Sequence, residues 1–162
     1  MDFLVLRKIL IIHLRIQILK YIKEKLSSFI NISEAATIAI HSLALIANSN
    51  RNLNATRIAE VTKFSRNHLA KVLHILVKHN YLHSLRGPNG GFSLKKNPDT
   101  ISLFEVYELI EGELKIFQCA ITCGDCYFET CIFGNHPQQF SGSFQHYLKN
   151  KTLNDFKLNR EI

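Results

Sequence analysis

The 162 residues carry 20 Lys and Arg against 13 Asp and Glu, a formal charge of +7, and 46% of them are hydrophobic, which fills a real core and excludes a disordered chain. Three prolines, seven glycines and no repeat or low-complexity tract leave no flexible linker between independent domains. The charge is a block: residues 51–96 hold nine cations, four histidines and one acid, Glu60, which suits a polyanion-binding surface but is also the pattern of a solvated basic face.

In residues 1–29, Leu4, Ile11, Leu14, Ile18, Ile22 and Leu26 recur near helical spacing among cations, predicting a basic amphipathic extension. Contact with a membrane surface or a partner competes there with an upstream start codon or a docking helix. Arg7, Lys8, Arg15 and Lys20 interrupt the apolar run and no small-residue cleavage site follows, so no export signal is expected. No uncharged stretch approaches the ~18 residues of a bilayer span. The expected compartment is the cytoplasm, without stable membrane association.

Ser33 is the expected N-cap of a helix running through Ala47, and Asn48-Ser49-Asn50 its stop. Asn54 caps a short helix through Thr62, Lys63 and Phe64 turn, and Ser65 caps the next helix, Arg66 to His79. On that helix Leu69, Val72, Leu73 and Leu76 share one stripe while Asn67, Lys71, His74 and Lys78 share the opposite one. Two helices joined by a short turn, the second opening Ser65-Arg66-Asn67-His68 with a polar outer stripe, read as a helix-turn-helix. Arg66 is then placed for guanine, Asn67 for adenine, and Ser65 and Lys71 for phosphates. An ordinary surface helix has the same stripes.

"YLHSLRGPNGGFSLKK" follows, two short strands around a glycine-rich turn in which Asn89-Gly90 suits a tight hairpin needing positive φ. Such a wing puts Arg86 at its base and Lys95 and Lys96 beyond it, within reach of phosphate, and Gly87, Gly90 and Gly91 permit close backbone approach. A nucleotide-cradling loop lacks here its lysine and following helix. Ser102 and Glu105 form a capping-box pattern, Leu103, Val106, Tyr107 and Ile110 an inward stripe, and Gly112 a stop. Near Gln138 to Lys149, Phe140, Phe144, Tyr147 and Leu148 have the spacing of a buried seam, either against a twin chain or against the chain's own domain. The expected fold is mainly α with a small β-hairpin wing: a winged helix-turn-helix over residues 30–112, a cysteine-rich loop over 113–136, and a dimerisation helix and tail over 137–162.

All four cysteines, Cys119, Cys123, Cys126 and Cys131, fall within thirteen positions. In a reducing compartment such clusters are metal ligands or redox groups more often than structural disulfides. The Cys119-x3-Cys123-x2-Cys126 spacing is that of a radical-SAM loop, but the chain has no room for the barrel this chemistry needs. Four-thiolate zinc remains open, with a spacing that fits no standard knuckle. So do an iron-sulfur cluster and a reversible disulfide. His136 and His146 read as surface or packing residues. No trio of nucleophile, base and orienting group appears, so an enzyme is not expected.

Residues from about Ile32 to Phe156, through "IAEVTKFSRNHLAKVLHILVKHNYL", "LRGPNGGFSL" and "ISLFEVYELIEG", resemble the Rrf-type winged-helix transcription regulators. The Ser65-Arg66-Asn67-His68-Leu69 opening and "TLNDF" resemble the family's nitric oxide-sensing repressor branch. Family chains begin close to residue 30, so residues 1–29 count as an extension. The resemblance implies a homodimer joined by the C-terminal helix, bound to a palindromic double-stranded DNA operator, with Ser65, Arg66, Asn67, His68, Lys71, Arg86, Gly87, Asn89, Gly90 and Lys95 expected at the DNA. It also implies an iron-sulfur cluster, two-iron or four-iron, held by three loop cysteines for which Cys119, Cys126 and Cys131 match best, Cys123 being an extra. Related sensors take a fourth ligand from an acidic side chain in the first helix; the matching position here is Thr37, a poor iron ligand, which leaves Cys123, His136 and Glu34. A zinc- or thiol-based regulator, or a metal-dependent protein-interaction module, is the alternative.

Overall fold

The computed structural model describes residues 32–87, 90–116 and 127–159. Contacts divide the chain into units Met1–Asn31 and Ile32–Ile162; the amphipathic reading of residues 1–29 lies outside the described residues.

Helix α1 (Glu34–Ala47) starts where Ser33 Oγ accepts the Ala36 N–H at 3.2 Å, with Glu34 complementing the positive end of the helix. Ala36, Ile38, Ala39, Leu43, Leu45 and Ile46 are all buried, too many for one stripe, so α1 is the central helix on which the others pack. Helix α2 (Ala55–Thr62) is capped by Asn54 Oδ1, which accepts from Arg57 N–H at 2.8 Å, and ends at Lys63 in the left-handed region, φ 63°. Helix α3 (Arg66–Lys78) buries Leu69, Val72, Leu73 and Leu76, the expected stripe, each stabilising the fold by about 1.5–3 kcal/mol before entropy is counted. Strands β1 (Leu82–Leu85) and β2 (Gly91–Leu94) pair antiparallel, from Leu82 opposite Leu94 to Leu85 opposite Gly91.

Helix α4 (Leu103–Glu111) buries Leu103, Val106 and Tyr107 and stops at Gly112, φ 83°. Only half of its expected capping box forms. Ser102 Oγ accepts the Glu105 N–H at 3.2 Å, but the Glu105 carboxylate lies 3.8 Å from Lys96 Nζ. Helix α5 (His136–Asn150) begins before the expected Gln138 because Pro137, whose φ is already helical, fits its first turn.

The seam on α5 divides between the two readings. Ser141 and Leu148 are buried, and the Phe144 ring meets Tyr107 of α4 edge-on at 5.9 Å, so this face folds back on its own domain. Phe140 and Tyr147, two turns apart on another face, are 61% and 47% exposed. The tail then returns: Leu103 N–H donates to Lys151 O at 2.8 Å, Leu153 N–H to Ile101 O at 3.0 Å, and Asn48 Nδ2 to Phe156 O at 2.8 Å. Among the described residues no helix is long and apolar enough to cross a membrane.

Candidate nucleic-acid interface and cysteine segment

Burying the leucine stripe of α3 leaves its other side to solvent. Ser65, Arg66, Asn67, Lys71, His74 and Lys78 are exposed. Ser65 begins the helix with its carbonyl, which accepts from Leu69 N–H at 2.9 Å, while its hydroxyl makes no capping bond. His68 departs from this group: it is half-buried, and its Nδ1 lies 3.1 Å from Glu34 Oε2, joining the first turn of α3 to that of α1.

The wing places Arg86 and Gly87 in solvent beside β1. The Gly90 N–H closes the turn onto Gly87 O at 2.9 Å. Asn89 lies outside the described residues. Of the expected Asn89-Gly90 pair only Gly90 is described, and it does not have positive φ, whereas Gly87 (114°) and Gly91 (150°) do. Gly90 is needed for space, since an added Cβ would strike the carbonyl oxygens of Leu85 and Gly87. The two lysines after β2 diverge. Lys95 stays exposed, its Nζ donating to Asn80 Oδ1 at 2.7 Å. Lys96 sits over the Tyr81 ring, 4.3 Å from its centroid, and faces Glu105, with its side chain still 43% exposed. Burial, and then the Glu105 charge, push the Tyr81 hydroxyl up to about 12, so it stays protonated.

One contact was not legible in the motif pattern. Leu53, in the α1–α2 loop, pairs with Phe92 of β2: its N–H donates to Phe92 O at 3.1 Å and its carbonyl accepts the Phe92 N–H at 2.8 Å. Leu53 is 2% exposed. A lone leucine inside the polar run Asn48 to Asn54 was the available signal, because nothing else there can be buried.

Cys119, Cys123 and Cys126 lie outside the described residues, and among the described ones no group of three or more His, Cys, Asp or Glu is gathered for a metal. Both flanks of the cysteine segment are visible. On one side Leu114 is buried, its N–H donating to Glu108 Oε1 at 3.2 Å and its carbonyl accepting from Gln145 Nε2 at 3.1 Å. On the other, Cys131 is exposed in the turn that opens α5. The backbone N–H of Asn135 and then that of Phe133 hold its thiol below the ordinary range against an opposing effect of desolvation, with the Gly134 N–H a lesser aid. An exposed thiol whose ionised form is favoured in this way suits a soft metal, so the chemistry of this member of the set fits an iron-sulfur cluster. Of the candidates for a fourth ligand, Glu34 faces His68 and His136 is exposed in the first turn of α5, while Thr37, at the matching position, donates its hydroxyl to Ser33 O at 3.0 Å.

A helix-turn-helix with an exposed polar recognition face, flanked by a two-stranded wing, defines a winged-helix DNA-binding protein. Residues 32–158 match the Rrf2 family, iron-dependent transcriptional regulator, and the chain belongs to that family. An Aquifex aeolicus (strain VF5) protein assigned as an HTH-type transcriptional regulator is 33% identical over 127 residues, 76% of this chain and 88% of that protein. The HTH-type transcriptional regulator NsrR of Bacillus licheniformis is 39% identical over 72 residues, 44% of this chain and 50% of that protein. Among solved structures, CymR (YrzC), the global cysteine regulator of B. subtilis, superposes with a TM-score of 0.63 at 18% identity, covering 78% of this chain and 95% of that one. T. potens IscR gives 0.58 at 21%, over 78% and 85%. At these identities the structures establish the shared fold. The protein is a transcriptional regulator and not an enzyme.

Proposed function

We propose that this protein is an iron-sulfur cluster-dependent repressor, a homodimer that grips a palindromic operator and releases it on nitric oxide, oxidant or iron loss. The observation that carries the reading is Cys131: an exposed thiol, held toward its thiolate by backbone amides, at the head of the helix that is packed onto the reading domain. Cys119, Cys126 and Cys131 are the proposed ligands, with Cys123 as the fourth thiolate in the same segment. When bound, the cluster supplies a centre that nitric oxide and oxidants dismantle.

The chain's own part is mechanical. Cys131 and Leu114 anchor the two ends of the segment, and Gln145 bridges α5 to Leu114. Phe144 carries the position of α5 to Tyr107 of α4, and Glu111 at the end of α4 accepts the Ser33 N–H at 3.0 Å at the start of α1. From there Glu34 meets His68 on α3. Holding Cys131 favours one placement of α5, and only a difference in how well the two placements are held can change operator affinity. Phe140 and Tyr147 supply the dimer seam, and Arg66, Asn67 and Lys71 the DNA contacts, with Ser65, Arg86, Gly87 and Lys95 on phosphate. The lowered Cys131 thiol also favours a second reading, direct thiol oxidation without metal.

Anaerobic purification followed by visible spectroscopy and iron and zinc analysis, repeated after nitric oxide, separates these. The proposal expects iron, a brown chromophore and its loss with nitric oxide, and it expects Cys131→Ala to lose both the colour and the ligand-dependent change in DNA affinity. A colourless variant that still responds fully would overturn it.

A further inference from the structure

One concavity of the domain is lined without any residue of the reading helix. A cavity of about 630 Å³ lies between the α1–α2 loop, the start of α2 and the wing, lined by Asn50, Arg51, Asn52, Asn54, Arg57 and Gly90 around Leu53. Two arginines and three asparagines line one space, and no acidic residue lines it with them. The first turn of α2 opens beside it, where Asn54 Oδ1 takes the Arg57 N–H, leaving the helix's first amides and its positive end to the cavity side.

The walls are built rather than incidental. The Leu53–Phe92 pairing locks the loop to β2, and an alanine at Gly91 would put its Cβ 2.8 Å from the Leu53 carbonyl carbon, so loop and wing approach as closely as backbone allows. Arg57 is paired with Glu60 at 3.4 Å, with both side chains about half exposed, and surface pairs of that kind are weak enough for an incoming anion to displace. We infer that this cavity seats a backbone phosphate of the bound DNA, clamped between Arg51 and Arg57, so that the wing root and α2 grip the strand flanking the groove that α3 reads. The inference rests on the DNA-binding assignment and adds to it a contact that carries no sequence information.

The test uses the full-length protein and a mixed-sequence duplex, with affinity measured by fluorescence anisotropy over a chloride series. Arg51→Gln and Arg57→Gln are each expected to reduce the slope of log affinity against log salt, and the double variant by about 0.9 per bound copy of the chain, the share of one phosphate. Selection from randomised duplexes is expected to return the same preferred sequence for both variants as for the parent. Glu60→Gln, which frees Arg57 and perturbs no buried group, is expected to tighten mixed-sequence binding severalfold and keeps the test open if an arginine variant fails to fold. Unchanged slopes in folded arginine variants, or unchanged affinity in Glu60→Gln, would overturn the assignment. So would inorganic phosphate raising the melting temperature at constant ionic strength in the parent only, with slopes unchanged, which would make the cavity a site for free phosphate. A changed sequence preference would instead place Arg51 or Arg57 on base edges and overturn the phosphate seat. Failure of the recognition-helix assignment would show separately, as Arg66 and Asn67 variants that leave the selected sequence intact.

Discussion

The reading domain and the C-terminal arm treat their apolar residues in opposite ways. In residues 32–112 every helix buries its stripe: Ile38 and Leu43 of α1, Ile58 of α2, Leu69, Leu73 and Leu76 of α3, and Val106 of α4 are all within 1% of complete burial. From residue 113 onward Leu114, Leu148 and Leu153 do this, while Ile116, Tyr127, Phe128, Ile132, Phe133, Phe140, Tyr147 and Leu158 stay at the surface. One chain completes the reading domain. The arm packs one face on α4 and leaves large apolar side chains exposed on the other, the face assigned above to the proposed homodimer.

The sharpest way to break that contrast is to truncate one residue in each region. Leu73→Ala is expected to cost about 2–5 kcal/mol in chemical denaturation, since a fully buried leucine leaves a cavity. Phe140→Ala should change unfolding of the dilute protein by no more than about 0.5 kcal/mol, yet weaken self-association in sedimentation. Equal losses for the two would erase the distinction between a self-sufficient domain and an unfinished arm.

A smaller effect separates two kinds of residue inside the reading domain. Asn67→Ala or Arg66→Ala should cost about 1–3 kcal/mol of discrimination at one base pair in a binding-site selection. Lys95→Ala should weaken all sequences alike. If Lys95→Ala altered the selected base instead, the division between reading helix and wing would be misdrawn.

The smallest effect concerns the stitch that returns the arm to the reading domain. Asp155 accepts the Thr152 N–H at 2.7 Å and Thr152 Oγ1 at 3.1 Å, with Lys151 nearby, and these partners hold its carboxyl below the usual range. A depressed carboxyl stabilises the fold above its unfolded-state value and loses that contribution as pH falls through the folded one. Thermal melts of Asp155→Ala should therefore fall below the parent at neutral pH and converge with it in acid. A gap that persists at low pH would assign the effect to something other than the charge.

Much of this was legible in the residues. Ser33, Asn54 and Ser102 announced helix starts because a short side-chain oxygen beside an apolar stripe has one good use, and the stripe of α3 named its own buried face. Lys95 and Lys96 count alike as charge, but their partners differ, Asn80 for Lys95 and the Tyr81 ring with Glu105 for Lys96, and these lie too far along the chain for a local pattern to tell the two apart. The His68–Glu34 and Leu53–Phe92 contacts join residues 34 and 39 positions apart, beyond the reach of any local pattern.

What the sequence alone determined is what acts within a few residues: caps, periodicities, the basic block and the clustered thiols, each set by backbone hydrogen bonding and side-chain chemistry at short range. Only the tertiary structure decided which cations face outward, that the α1–α2 loop is sewn to the wing around an arginine-lined cavity, and that α5 spends one face on its own domain. Those outcomes depend on which surfaces meet once the chain has folded, and burial, which selects among them, is a property of the packed whole.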